Sequence, residues 1–320
     1  MLLRLRSTFV TALGLREASV AAMILIVAAY LTYASAYFPE PRNLLNIGRQ
    51  ASVVGIVALG QALVIIARGI DLSVGSIIGL SAVAGAIVAR ETGVQGLSVP
   101  VALMAGLLCG LFNGWLYTRL RINPFIATLG TLSIARGIAL LLTGGIPVTL
   151  SGFANFLGAG RIVNIPVSLI LMVMLAVIFH ILATRTVRGR DIFAIGDNPK
   201  AAVLAGIDLR GTRLFVFVLS GLLAGLGGII LAGNLASADP NLGMGYELDV
   251  IAAVILGGTS LSGGRGSIPG VMLGAILMAL LNNAFVLLGI SAYWQVVTKG
   301  LVILLAVGLD SIRRDASETD

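Results

Sequence analysis

Few side chains in this sequence could do chemistry, and those that could are scattered through apolar stretches. His180 and Cys109 are each the only residue of their type. A lone histidine excludes a histidine-based metal cluster or proton relay, and a lone cysteine excludes an internal disulfide. Neither stands beside a partner that would make it a nucleophile, so no catalytic residue and no metal site is expected. Asp71, Glu247 and Asp249 are the carboxylates that border apolar runs. A carboxylate inside a membrane can carry a proton, which is what a proton-coupled carrier would need. Ser73, Asn113, Thr128, Thr131, Asn282 and Asn283 form a second polar set. Such groups either hydrogen-bond a passing solute or tie helices together. The stretch from Gly257 to Gly266 resembles a phosphate loop in its glycines, but it lacks the Gly-Lys-Ser/Thr ending, which occurs nowhere in the chain. Nucleotide binding by that route is excluded.

The elements that must position these groups follow from composition. Of 320 residues, 58% are apolar and 11% charged, against about 25% charged in a soluble domain. A soluble enzyme is excluded. At about 20 residues per crossing, the chain makes about ten or eleven spans and leaves no room for a separate extramembrane domain. The fold expected is an all-α polytopic bundle with broken or re-entrant segments, one transmembrane domain over residues 1–320. Apolar runs go from Ala18 to Phe38 and then over 48–67, 72–89, 98–118, 124–143, 165–184, 214–234, 249–261, 268–289 and 294–310. The first ends in Ala34-Ser35-Ala36, which mimics a signal-peptidase site. Its length and the many spans after it favour an uncleaved helix.

Threading the runs from an inside N-terminus puts Arg119, Arg121, Arg185, Arg188, Arg190, Lys200, Arg210, Arg213, Arg265, Arg313 and Arg314 on one side. The other keeps only Arg42, Arg90 and Arg161. Cytoplasmic loops carry such an excess, so residues 1–17, 185–213 and 311–320 are expected in the cytoplasm. The net charge of +7 then marks these loops rather than a nucleic-acid partner. Tyr33, Tyr37, Phe38, Trp115, Tyr117, Tyr293 and Trp294 fall at span ends, as interfacial anchors do. Gly106, Gly110 and Gly114 share one helical face, as do Gly266, Gly270 and Gly274, with shorter pairs at Gly75/Gly79 and Gly221/Gly225. These ridges are read as packing surfaces between helices.

Four places break the apolar pattern. At 67–75, Gly69 beside Arg68 and Asp71 suggests a broken helix, with Asp71 capping the next helix and Arg68 compensating its charge. At 123–131, Asn123 before Pro124 is a helix start. There Thr128 and Thr131 either back-bond to the helix or face a pore, and Arg136 must point inward. At 245–266, Glu247 and Asp249 stand at the outer mouth of a short span, followed by a tight Gly/Ser turn. Asn282 and Asn283 sit mid-span on different faces, as interhelical glue or as solute-binding groups. The loop 185–213 carries one more signal. Asn198 can cap, Pro199 can start and Gly206 can end a short helix. A helix this short is marginal alone, so it docks on the membrane surface or on another protein, and an external motor is the contact it suggests.

These motifs together resemble, in order, the membrane-spanning permease subunit of bacterial ribose-type ABC importers. The likeness runs through Gly69-Ile70-Asp71-Leu72-Ser73-Val74-Gly75-Ser76, Pro124 to Gly130, Ala194 to Asn198 with Ala201-Ala202 and Gly206-Ile207, Gly245 to Val254 with Gly257 to Leu261, and Leu281-Asn282-Asn283 with Leu287-Leu288-Gly289. The resemblance covers roughly residues 40–310. It implies two permease subunits, two cytoplasmic ATP-binding subunits that hold the ATP, and a periplasmic sugar-binding protein. It implies a multi-pass protein of the bacterial inner membrane, in contact with lipid and with no cofactor of its own. Transport would be by alternating access of ribose or a related sugar, while relatives handle xylose, galactofuranose, inositol, a furanosyl signalling molecule or nucleosides. Asp197, Asn198, Pro199, Lys200, Ala201, Ala202, Val203, Leu204 and Gly206 would form the ATPase-coupling loop. Asp71, Ser73, Asn113, Thr128, Asn282 and Asn283 are the pathway candidates, and Glu247 and Asp249 the outer mouth or binding-protein dock. Arg68 departs from the small or polar residue usual there, which leaves open the sugar and whether the paired permeases are identical. The alternative is a proton-coupled secondary transporter using Asp71 or Asp249. A channel would have only the 257–266 stretch as a filter.

Overall fold

The computed structural model describes residues 2–291 and 293–301, with Leu304 and Gly308, and side chains from Glu17 onward. In chain order the helices are α1 (Leu2–Ala34), α2 (Pro41–Ile66), α3 (Val74–Thr92), α4 (Ser98–Thr118), α5 (Pro124–Thr143), α6 (Phe153–Ala159), α7 (Val167–Arg185), α8 (Val187–Asp197), α9 (Pro199–Leu204), α10 (Leu209–Leu235), α11 (Tyr246–Leu256) and α12 (Ile268–Leu287). Eight of the described helices are long and apolar enough to cross a membrane: α1 from Glu17, then α2, α3, α4, α5, α7, α10 and α12. α11 has only 11 residues, about 16 Å at 1.5 Å per residue, and so covers half a bilayer. Residues 293–301 are helical where the last apolar run begins. Apart from Leu304 and Gly308, the remainder of that run and the tail 311–320 lie outside the described residues. The protein is an all-α polytopic membrane protein, interrupted where the sequence is least apolar.

α2 is the central post. It is buried continuously from Ala51 to Ile66 and packs on α10, α12, α7 and α11. The ridges of α4 and α10 meet each other: a Cβ on Gly106 of α4 would strike the carbonyl oxygen of Gly221 on α10, and the reverse also holds. Gly266, by contrast, lies before α12 starts and so shares no helical face with Gly270 and Gly274. Gly270 and Gly274 of α12 press on Gly257 and on Ala253 of α11 in the same way. Backbones this close gain dispersion contacts that lipid could not supply as densely.

The start of α2 and the end of α10 gather at one end of the bundle with α6, and two short strand pairs finish it. β1 (Val148–Thr149) pairs antiparallel with β4 (Ser237–Ala238), and β2 (Arg161–Ile162) with β3 (Ile165–Pro166). Val163 and Asn164 turn the second pair, both with positive φ (49° and 65°), as a two-residue type I′ hairpin requires. The opposite end carries α8, α9 and the junction between α2 and α3.

Candidate translocation and coupling site

Polarity enters the buried bundle at that junction. Arg68 turns the chain in the left-handed region, φ 63°, and Asp71 and Ser73 follow with no exposed surface. Asp71 Oδ1 accepts from Ser73 N–H at 3.0 Å and from Ser73 Oγ at 2.6 Å. Asp71 Oδ2 accepts from Ser220 Oγ of α10 at 2.9 Å. Asn113 Nδ2 of α4 donates to Ser73 Oγ at 2.8 Å, and Thr131 Oγ1 of α5 donates to Asn113 Oδ1 at 2.6 Å. Thr128 Oγ1 donates back to Pro124 O at 2.9 Å and across to Ile70 O at 3.2 Å. Gln61 of α2, with its amide turned as its partners require, donates to Asp71 O at 3.1 Å and accepts from Asp71 N–H at 3.2 Å.

Four pathway candidates, Asp71, Ser73, Asn113 and Thr128, thus share one place, joined by Gln61, Thr131 and Ser220. Each donor and acceptor named there has a partner, as buried polar groups require. Asp71 caps the turn ahead of α3 through the Ser73 N–H. Arg68 does not compensate Asp71: its left-handed backbone sends the guanidinium away, toward α8. The other two candidates lie elsewhere. Asn283 and Asn43 of α2 exchange hydrogen bonds at 2.7 and 3.2 Å, which makes Asn283 interhelical glue. Asn282 Oδ1 is buried without a partner among the described residues.

Arg68 Nε donates to Gly196 O at 2.6 Å and Nη2 to Asp197 O at 2.7 Å. These are the last carbonyls of α8, unsatisfied within the helix and favoured by a cation. Gly264 N–H donates to Ile66 O at 2.9 Å, and a Cβ on Gly196 would collide with that same Ile66 oxygen. The end of α2, the glycine-rich loop after α11 and the end of α8 therefore meet at one point. α9 follows immediately. Asn198 Oδ1 accepts from the N–H groups of Lys200 and Ala201, each at 3.1 Å. Pro199 is the first helical residue, and Gly206 at φ 83° lies just past the end. Ala202 is buried, whereas Leu204 is 90% exposed and Val203 52%. The result is a rigidly capped helix that offers an apolar tip.

Glu247 is half-buried, accepts from Gly245 N–H at 3.3 Å and lies against Gly75 of α3, two residues past Ser73 of the junction. Asp249 is buried, with Lys299 Nζ 2.8 Å from its carboxylate. Arg136 does point inward: it donates to Pro240 O, to Leu242 O at 3.0 Å and to Gly75 O at 3.4 Å. Nearby a cavity of about 180 Å³ opens between α2, α6, α7, α10 and α11. Asn46, Arg49 and Gln50 of α2, Ser168 of α7, Asn234 of α10 and Tyr246 of α11 line it. Sequence reasoning missed these residues. The available signal was a polar stripe, Arg42, Asn46, Arg49 and Gln50, at successive turns leading into the run counted as apolar from residue 48.

A bundle of continuous and half-length apolar helices around buried polar breaks defines a polytopic membrane protein, and the comparisons specify it. Residues 43–307 match the family model described as the permease component of the branched-chain amino acid transport system. The chain is 46% identical over 279 residues to the ribose import permease protein RbsC of Bacillus subtilis, covering 85% of this chain and 86% of that one. It is 41% identical over 315 residues to RbsC of Escherichia coli K12, covering 96% and 97%. With the E. coli galactose/methyl galactoside import permease protein MglC it shares 37% over 323 residues, covering 93% and 95%. No solved structure matches. The chain belongs to this permease family, on its ribose-type ABC importer branch.

Proposed function

We propose that this chain is the transmembrane permease subunit through which an ABC importer moves ribose or a related monosaccharide across the bacterial inner membrane by alternating access. In this reading both termini and α9 face the cytoplasm. Two ATP-binding subunits dock there and hold the ATP, and a second permease, identical or paralogous, completes the pathway. A periplasmic sugar-binding protein delivers the solute at the opposite end, where α2 starts. The ribose and galactose import permeases among the relatives support the sugar.

The observation that carries this reading is α9. Its N-terminal turn is capped twice by Asn198, and Val203 and Leu204 stand bare where water would otherwise have to cover them. A tip of this kind suits a groove on a partner protein. When ATP closes the motor, α9 pulls α8, and Arg68 passes the movement to the junction before α3. The bond between Gly264 and Ile66 passes it to the loop ahead of α12. In this reading Asp71, Ser73, Asn113 and Thr128 make the junction stiff enough to move as one piece, and Asn282 is left to meet solute. A proton-coupled carrier needs a carboxylate that both sides can reach. Asp71 instead is sealed by three donors, and Asp249 is held by Lys299.

Mild-detergent purification from native membranes tests the docking. A soluble ATPase should accompany the native chain and be lost from the double variant Lys200→Glu, Val203→Pro, at unchanged levels of membrane-inserted protein. Retention of the ATPase and normal uptake in that variant would refute the coupling role of α9.

A further inference from the structure

We propose that the cavity beside the first half of α2 is a solute-binding station for a neutral polyhydroxyl ligand, a monosaccharide in transit. The proposal rests on the importer reading and adds a site to it.

α2 is apolar through its buried half, yet its first half carries Arg42, Asn46, Arg49 and Gln50 along one face. Asn46 and Gln50 lie about 8 to 14 Å along the axis from Pro41, at 1.5 Å per residue. A polar stripe at that depth faces protein or a water-filled path, because hydrocarbon cannot satisfy it. Here it faces the cavity of about 180 Å³.

Two atoms at that site have no partner among the described residues. Ser168 is 1% exposed and its Oγ has no hydrogen bond. Arg49 Nε is also buried without one, although Arg49 Nη2 reaches Ala159 O at 3.4 Å. A sealed polar group without a partner costs stability, so a polar ligand or water must supply what the chain does not.

The ligand class follows from the donor set. Asn46, Gln50 and Asn234 each bring an amide, with both donors and an acceptor, and Ser168 brings a hydroxyl. A sugar hydroxyl also donates and accepts, so it suits all four. Arg49 could pair with an anion, but an anion has no hydrogen to give the amide oxygens, whereas a sugar hydroxyl serves both sides of each amide. Tyr246 and the apolar floor of Val53, Ile230 and Leu231 match the C–H face of a sugar ring.

The test uses the assembled complex with its ATP-binding subunits, in a Cys109→Ala background that removes the native thiol. Gln50→Cys and, separately, Asn234→Cys are labelled with a membrane-impermeant maleimide, with and without D-ribose and D-galactose. If one of the sugars binds here, then at about ten times its Kd about a tenth of the sites stay free and labelling slows about tenfold. Labelling of Val94→Cys, exposed and outside the cavity lining, should not respond. Slowing by ribose 5-phosphate but by neither sugar would overturn the ligand class. Unchanged labelling at both cavity positions, in a complex shown to take up ribose or galactose, would overturn the site. A complex that hydrolyses ATP but imports neither sugar would instead refute the underlying importer reading, and the site with it.

Discussion

Two polar regions of this molecule can be set side by side. At the junction of α2 and α3, Asp71, Ser73, Asn113, Thr131 and Ser220 satisfy one another completely and touch no solvent. In the cavity near the start of α2, Arg49 Nε and Ser168 Oγ are buried with no hydrogen-bond partner among the described residues. Both regions are polar inside a membrane bundle, so polarity alone does not mark a transport site. What separates them is satisfaction. A closed network holds helices in one arrangement, because breaking any bond strands its partner. An open set of donors and acceptors leaves bonds for a visitor. Stability should therefore reside at the junction, and transport at the cavity.

The sharpest break of that comparison is Asp71→Leu. It strands the Ser73 N–H and the hydroxyls of Ser73 and Ser220, each at about 1–3 kcal/mol, and the monodisperse yield in detergent should fall at least about tenfold. Asn113→Leu strands only its two neighbours, and the thermal midpoint should drop by the equivalent of about 2–3 kcal/mol. Arg68→Ala frees two α8 carbonyls at the bundle end. The cost in stability there is about 1 kcal/mol, but ATP hydrolysed per sugar imported should rise about fivefold or more, with partial rescue by Arg68→Lys. Ser168→Val has the smallest effect on stability. It removes an already unpaired hydroxyl, so the midpoint should move by less than about 0.5 kcal/mol, while sugar uptake declines. A melting loss at Ser168 as large as that at Asn113 would erase the distinction between the regions.

Much of the fold was legible because its signals are local. The apolar runs of about 18 residues or more among the described residues meet helices, as their length requires once lipid is the solvent, while the shorter run 249–261 is helical only to Leu256. Asn198, Pro199 and Gly206 act as cap, start and stop because such roles depend on neighbours a few residues away. The glycine ridges of α4 and α12 likewise became packing surfaces. What stayed hidden depends on contacts across the chain. Arg68 is three residues from Asp71 in sequence but bonds Gly196, 128 residues on, because its backbone turns left-handed. Asn283 meets Asn43 across 240 residues, and Lys299 reaches Asp249 across 50. The cavity is assembled from several helices, none of which shows it alone. The polar start of α2 was its single trace, and the apolar residues that follow concealed it.

The measurement closest to the central claim is sugar uptake by proteoliposomes holding the reconstituted complex, driven separately by internal ATP and by an imposed proton gradient. Uptake should follow ATP, ignore the gradient and be lost in Leu204→Asp, where a charge replaces the exposed apolar tip of α9. Uptake driven by the gradient, or undiminished by Leu204→Asp, would contradict a permease worked by an external motor through α9.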